Sequence, residues 1–290
     1  MSFVITTDAS SNLTGIFTKK YDIRVVPLTY IVNGLEQHCN DVTEHFNGNE
    51  YYEMIKNADV KTSTVSIGQY MDIWEPILES GQDILHLTIS SGISGAYNAG
   101  RQAAQMLKED YPDRKIVVFD TLAASLGEGI QVIYAARLKD QGKDINEIID
   151  ALVKQRDKTV QVFSVDDLNF LKKGGRISAA AAAIGSVLHI KPILKGNYMG
   201  QIVVSEKVRG RRTALEALAE DFAAHFDKNS SAPVGIAHAG CEEDANFLVS
   251  LLKKVAPAAE FVLTMYEPVT GSHVGPGAIA LFYTGDARFV

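Results

Sequence analysis

Asp83–Lys108, DILHLTISSGISGAYNAGRQAAQMLK, and the stretch that follows it after a short turn, Lys115–Thr121, KIVVFDT, decide the fold. Asp83–Ile89 is an apolar run of strand length, Ser90–Gly95 a turn of small and hydroxyl residues, and the chain from about Ser94 to Lys108 reads as a helix. Lys115–Phe119 is a second strand, and Asp120-Thr121 leads into another helix. Strands alternating with helices call for a largely parallel sheet covered on both faces.

The same reading extends towards the N-terminus. Phe3–Thr7 is a short strand that stops at Asp8-Ala-Ser-Ser-Asn12, residues suited to opening a helix. Ile23–Val32 is rich in β-branched residues and ends at Asn33-Gly34, a hairpin signal. Ser66 and Gln69 have the spacing of a capping box ahead of Tyr70–Leu78. These pieces make one α/β unit, expected over residues 1–158.

A second α/β unit is expected over 159–290, with a mixed sheet. Val160–Val165, Ile190–Leu194, Gln201–Ser205, Val234–Ala237, Phe261–Met265 and Ala278–Tyr283 read as its strands, and the turn at Lys195-Gly-Asn197 as a hairpin. The helix after Gly210 aligns Leu215, Leu218, Phe222 and Phe226 on one face, and a later one aligns Leu248, Leu251 and Leu252, so both cover a sheet. The small-residue stretch Ser178–Gly185 reads either as tight helix packing or as a passage for a long rod-shaped ligand. The expected architecture is a mainly parallel α/β/α sandwich followed by a mixed-sheet α/β domain, with the ligand site between them.

Composition narrows the function. The net charge of −7 over 290 residues argues against a nucleic-acid partner, which needs a clustered basic surface. Cys39 and Cys241 lack ligand spacing and read as reduced thiols. No run of about 18 apolar residues exists, and the N-terminus lacks a signal-peptide pattern, so a cytoplasmic protein without a membrane span is expected. No His/Asp/Glu cluster has the spacing of metal ligands, and neither a P-loop nor a G-x-G-x-x-G follows a strand, so no metal and no nucleotide cofactor is expected.

In open α/β sheets ligands bind beyond the carboxyl ends of the strands. Asp8–Ser11, Lys61–Ser66, Ser90–Gly95 and Asp120-Thr121 with Ser125 fall at such places or at comparable turns. Any one of them reads as ordinary helix capping; together they suggest a shared anion site. Ser94, His273 and Asp8 also allow a hydrolytic triad, although Gly92-Ile-Ser94-Gly95 matches the nucleophile elbow only loosely, its second glycine one position early. Two basic features remain: Arg176, after Gly174-Gly175, and the cluster Lys207, Arg209, Arg211 and Arg212 at the expected start of a helix.

Taken as a set, Ile5-Thr-Thr-Asp8, Lys61-Thr-Ser63, Ile89-Ser-Ser-Gly-Ile-Ser-Gly95, Leu171-Lys-Lys-Gly-Gly-Arg-Ile-Ser178, Ile190-Lys-Pro-Ile-Leu194, Lys207-Val-Arg-Gly210 and His273-Val-Gly-Pro-Gly-Ala278 resemble the DegV proteins, among them the FakB subunits of bacterial fatty acid kinase. The resemblance runs from residue 3 to about residue 284. It implies that one long-chain fatty acid lies between the domains. Thr62 and Ser94 would hold its carboxylate, with Ser63 and Gly95 beside them and Arg176 and His273 in the same polar network. It also implies that the chain does no chemistry alone and presents the carboxylate to a separate kinase for conversion to acyl phosphate. The basic cluster is then the expected docking site for that partner. Ala9 stands where the family usually has serine, Thr64-Val65 where it often has Gln-Pro, and Ala96 where threonine is frequent. The alternative reading is a small serine esterase using Ser94 and His273.

Overall fold

The computed structural model describes residues 2–39, 46–178 and 189–286. In chain order the elements are β1 (Phe3–Asp8), α1 (Gly15–Lys20), β2 (Arg24–Val26), β3 (Leu28–Val32), β4 (Leu35–Cys39), α2 (Gly48–Met54), β5 (Val60–Ser63), α3 (Ile67–Glu79), β6 (Asp83–Thr88) and α4 (Ala96–Asp110). There follow β7 (Ile116–Asp120), α5 (Leu126–Asp140), α6 (Ile145–Arg156), β8 (Thr159–Ser164), α7 (Leu168–Lys173), β9 (Ile190–Gly196), β10 (Ile202–Arg209), α8 (Arg211–His225), β11 (Val234–His238), α9 (Glu242–Val255), β12 (Phe261–Met265), α10 (Pro268–Val274) and β13 (Ile279–Thr284). The protein is a two-domain α/β molecule built on two large sheets and one small one.

The first sheet has the order β2-β1-β6-β7 and is parallel throughout. Every residue of β1 and β6 is buried, as strands covered on both faces require. The second sheet has the order β10-β9-β8-β13-β11-β12; only β11 and β12 run parallel to each other. A small antiparallel sheet, β4-β3-β5, stands beside the first.

Pro27 explains why one β-branched run became two strands. With no N–H to donate, it interrupts the ladder between Val26 and Leu28. Arg24–Val26 joins the parallel sheet, and Leu28–Val32 turns away to pair with β4 through the expected Asn33-Gly34 turn. The capping box at Ser66 and Gln69 forms as expected. Asp8–Asn12, in contrast, makes only a short 3-10 turn, ended by Asn12 in the left-handed region.

The two-residue period of β8 and β13 sorts the core. Val160, Val162, Leu281 and Tyr283 face α8 and α9, where they meet Leu215, Leu218, Phe222, Leu248 and Leu252. Phe163, Ala280 and Phe282 face the opposite way and share one apolar cluster with the first domain. Helix α5 lies between the two large sheets, touching strands of both, and is buried nearly all round. This is why its sequence shows no clear amphipathic stripe. The core is therefore continuous across the domain boundary, and the cleft described next is a gap in it. Ala179–Leu188, which includes most of the small-residue stretch, lies outside the described residues.

Candidate functional site

Between the domains lies a cleft with about 930 Å³ of atom-free space counted out to its mouth. Its walls are mostly apolar: Leu28, Ile89, Phe163, Leu171, Ile202, Val269, Val274 and Phe282. Thr62, Ser63, Ser94, Arg176 and His273 line it too, so five of the six residues expected to bind ligand come together from four separate parts of the chain. Gly95 is exposed and serves as the N-cap residue of α4.

Thr62 and Ser94 arrive by different routes. Thr62 sits on β5 opposite Tyr30, so it is a strand residue rather than a helix-start hydroxyl. Its Oγ1 lies 2.9 Å from His273 Nε2. Ser94 stands just before α4, where its Oγ accepts from the N–H of Ala96 at 3.2 Å. The loop before it is tightened by Ser90, whose hydroxyl donates to the carbonyl of Gly200 at 2.8 Å and accepts from the N–H of Gly92. A Cβ on Gly92 would come within 2.5 Å of the Met199 carbonyl oxygen. Glycine there lets the β9–β10 turn close over the serine loop, joining the second domain to the first.

His273 belongs to α10, which the buried Glu267 caps through the N–H groups of Val269 and Thr270. Burial, reinforced by the Arg176 charge, pulls the imidazole down to about 4. At neutral pH it is uncharged and offers the site a hydrogen bond, not a charge. The charge is supplied by Arg176. Its Nε donates to the Ile93 carbonyl at 3.1 Å and a terminal nitrogen donates to Gly174, while no carboxylate pairs with it among the described residues. A half-buried guanidinium beside two hydroxyls, with no carboxylate partner among the described residues, can accept an anion. A Cβ on Gly174 would come within 2.2 Å of His273 Nδ1, so that glycine is what allows α7 and α10 to approach.

Further polar groups line the cleft away from these. Ser10 donates to buried Glu128 at 2.9 Å, and Thr7 donates to the same carboxyl at 2.8 Å. Burial and the neighbouring Asp8 charge push Glu128 well above the usual carboxylate range. Ser125 is buried, adopts a φ of +52°, and its Oγ has no hydrogen-bond partner among the described residues. Sequence reasoning singled out the Ser10 and Ser125 segments but missed Glu128, Glu267 and Gln161, which lines the cleft and accepts from the Ala124 N–H at 3.0 Å. A lone acid between two glycines, Gly127-Glu-Gly129, was the available signal for Glu128.

The arrangement does not make a hydrolytic triad. Asp8 is engaged with Tyr70 of α3 at 2.8 Å and with Thr88 and His86 of β6 at 2.5 Å and 3.3 Å, all of them buried. Although burial disfavours its charge, the His86 ring and these hydroxyls hold its carboxyl below the usual range. Among the described residues no acid orients His273, and no hydrogen bond joins it to Ser94.

The basic cluster is split by the fold. Lys207 and Arg209 are exposed on β10, an edge strand, rather than at a helix start. Arg211 turns inward to Asp244 at 2.8 Å and Asp166 at 3.4 Å, so it differs from the expected free docking charge. Arg212 is exposed, 3.1 Å from Glu216 and stacked over Phe247. Among the described residues there is no group of acids, histidines and cysteines placed to hold a metal, and no helix is long and apolar enough to cross a membrane.

A parallel and a mixed α/β domain with an apolar cleft between them, lined also by hydroxyls and one guanidinium, define a two-domain α/β protein with an interdomain pocket. The family model described as "uncharacterised protein, DegV family" matches residues 2–286, and the chain belongs to the DegV family. A DegV domain-containing protein of Clostridium perfringens is 34% identical, the match covering 99% of this chain and 98% of the relative. Solved structures include a fatty acid binding DegV family protein from Streptococcus agalactiae, at 30% identity and a TM-score of 0.83 over 98% of this chain and 99% of that one. Another is a DegV family protein from Thermus thermophilus described by its fatty acid binding, at 28% identity and a TM-score of 0.85 over 98% of this chain and 100% of that one.

Proposed function

We propose that this chain binds one long-chain fatty acid between its domains, taken as 1–158 and 159–290, and presents the carboxylate to a separate kinase for conversion to acyl phosphate. The observation that carries the reading is the guanidinium of Arg176, which has no carboxylate partner among the described residues, beside Thr62 and Ser94 in an apolar cleft. A carboxylate there gains a charge-assisted hydrogen bond from Arg176 and further donors from Thr62, Ser94 and His273, with Ser63 and Gly95 alongside. The tail follows Leu28, Phe163, Leu171 and Phe282, each buried methylene contributing about 0.8 kcal/mol. The fatty-acid-binding relatives support the same ligand class.

The chain is a FakB-like subunit that acts in the cytoplasm without a cofactor and without catalysis of its own. Lys207, Arg209 and Arg212 dock the kinase, while Arg211 holds its own domain together. The esterase alternative lacks a Ser–His contact and an orienting acid.

Organic extraction of protein purified from a bacterial host, followed by mass spectrometry, is expected to release about one fatty acid per chain. Thr62→Ala and Ser94→Ala should each weaken binding about ten- to a hundredfold, because a hydrogen bond to a charged group contributes roughly 1.5–3 kcal/mol. Recovery of no lipid, or unchanged affinity in the double variant, defeats the proposal.

A further inference from the structure

A second depression opens on the outer side of the same three residues. Thr62, Arg176 and His273 line both the acyl cleft and a vestibule bounded by Lys61, Lys173 and Asp59, with Ser272 and Gly174 at its base. The vestibule has about 880 Å³ of atom-free space counted out to solvent, so these three side chains form a partition between a greasy chamber and a wet one. Lys173 Nζ lies 3.2 Å and Lys61 Nζ 3.7 Å from the carboxylate of Asp59. One acid serves two lysines, and Arg176 behind them has no acid at all among the described residues. The wall thus carries two positive charges in excess, in a chain whose net charge is −7.

A fatty acid carboxylate held at the partition by Thr62 and Arg176 needs only one of these cations. The lysines on the outer side are left facing whatever group extends past the carboxyl. A phosphoryl group joined to that carboxyl carries additional negative charge and acceptor oxygens, which suit ammonium donors on flexible stems. We propose that Lys61 and Lys173 form a phosphate seat for the head group of an acyl phosphate whose tail remains in the cleft. The proposal rests on the fatty-acid reading above and adds the product head group to it.

The test compares hexadecanoate with hexadecyl phosphate, a stable monoalkyl phosphate, as displacers of a fluorescent fatty acid from the full-length protein. In the Lys61→Gln, Lys173→Gln double variant hexadecyl phosphate should bind about fivefold or more weakly, consistent with two partly exposed charges. Hexadecanoate affinity should change less than twofold. Asp59→Asn removes the competing acid and should tighten hexadecyl phosphate by about twofold or more, a gain that misfolding cannot imitate. Equal losses for both ligands in the double variant, or no loss for the phosphate, would overturn the seat while leaving the fatty-acid reading standing. Displacement of hexadecyl phosphate by an equal concentration of orthophosphate would also overturn it, by showing a site for free phosphate and not for a tethered one. Failure of hexadecanoate itself to bind the wild-type protein would instead remove the lipid reading and the seat with it.

Discussion

His273 shows how burial changes what a residue can contribute. Read from the sequence, it is a candidate for a hydrolytic triad or for a polar network around a carboxylate; in the folded protein its pKa of about 4 leaves it neutral under physiological conditions. The linkage follows from the direction of that shift. An unfolded histidine titrates near 6.5, so between about pH 4 and 6.5 the unfolded chain binds the extra proton and stability falls as the pH is lowered. The effect is bounded at about 3 kcal/mol by the size of the shift, and solvent at the mouth of the cleft reduces it. Denaturant unfolding of wild type and His273→Gln across this range should give a stability difference that grows in favour of the wild type from pH 4 to 6.5 and is level above. A level difference throughout would mean that the ring is not held neutral.

At the scale of elements, two short helices and the Gly174-Gly175 pair set the position of the anion site. Helix α7 ends against α10 with no room for a methyl group between Gly174 and His273. The two glycines have separate roles. Gly174 has an ordinary helical backbone and is needed for space, whereas Gly175, at a φ of +73°, has open space around its missing Cβ and is needed for conformation. Gly174→Ala should therefore displace His273 and lower fatty acid affinity about tenfold or more, besides an overpacking cost of about 1–3 kcal/mol. Gly175→Ala should cost about 1–2 kcal/mol of stability through backbone strain and leave affinity within about twofold. Thermal unfolding and ligand titration of the two variants separate these effects. Similar affinity losses in both would remove the distinction.

For the whole molecule, the proposed function requires a surface where a kinase can approach without disturbing the lipid. Lys207 and Arg209 project from the free edge of the second sheet, and β10 carries an irregularity between Val204 and Glu206. Such irregularities and edge charges discourage indiscriminate strand pairing, which leaves charge recognition as the means of contact. Arg209→Glu combined with Arg212→Glu should leave lipid content unchanged and abolish most kinase-dependent acyl phosphate formation, and the wild-type rate should fall as salt rises. Normal phosphorylation by the double variant would place the docking surface elsewhere. Arg211 is left out because its pairs with Asp244 and Asp166 make its loss a question of stability.

Periodicity and short motifs were enough to read the alternation of strands and helices, the capping box at Ser66, the Asn33-Gly34 turn and the group Thr62, Ser94, Arg176 and His273. Each of these depends on residues close in sequence or on a resemblance carried by several motifs together. Other features are fixed only when distant segments meet. Pro27 divides one β-branched run between two sheets because partner strands exist on both sides of it. Arg211 becomes a structural residue because Asp166 and Asp244 fold against it, and Glu128 becomes a buried acid because Thr7 and Ser10 close over it. Among the described residues Arg176 has no acid for the same kind of reason: what surrounds a charge is set by packing across the domain boundary. Local sequence determines backbone preference and which face is apolar, whereas desolvation and the choice of charge partner belong to the assembled core.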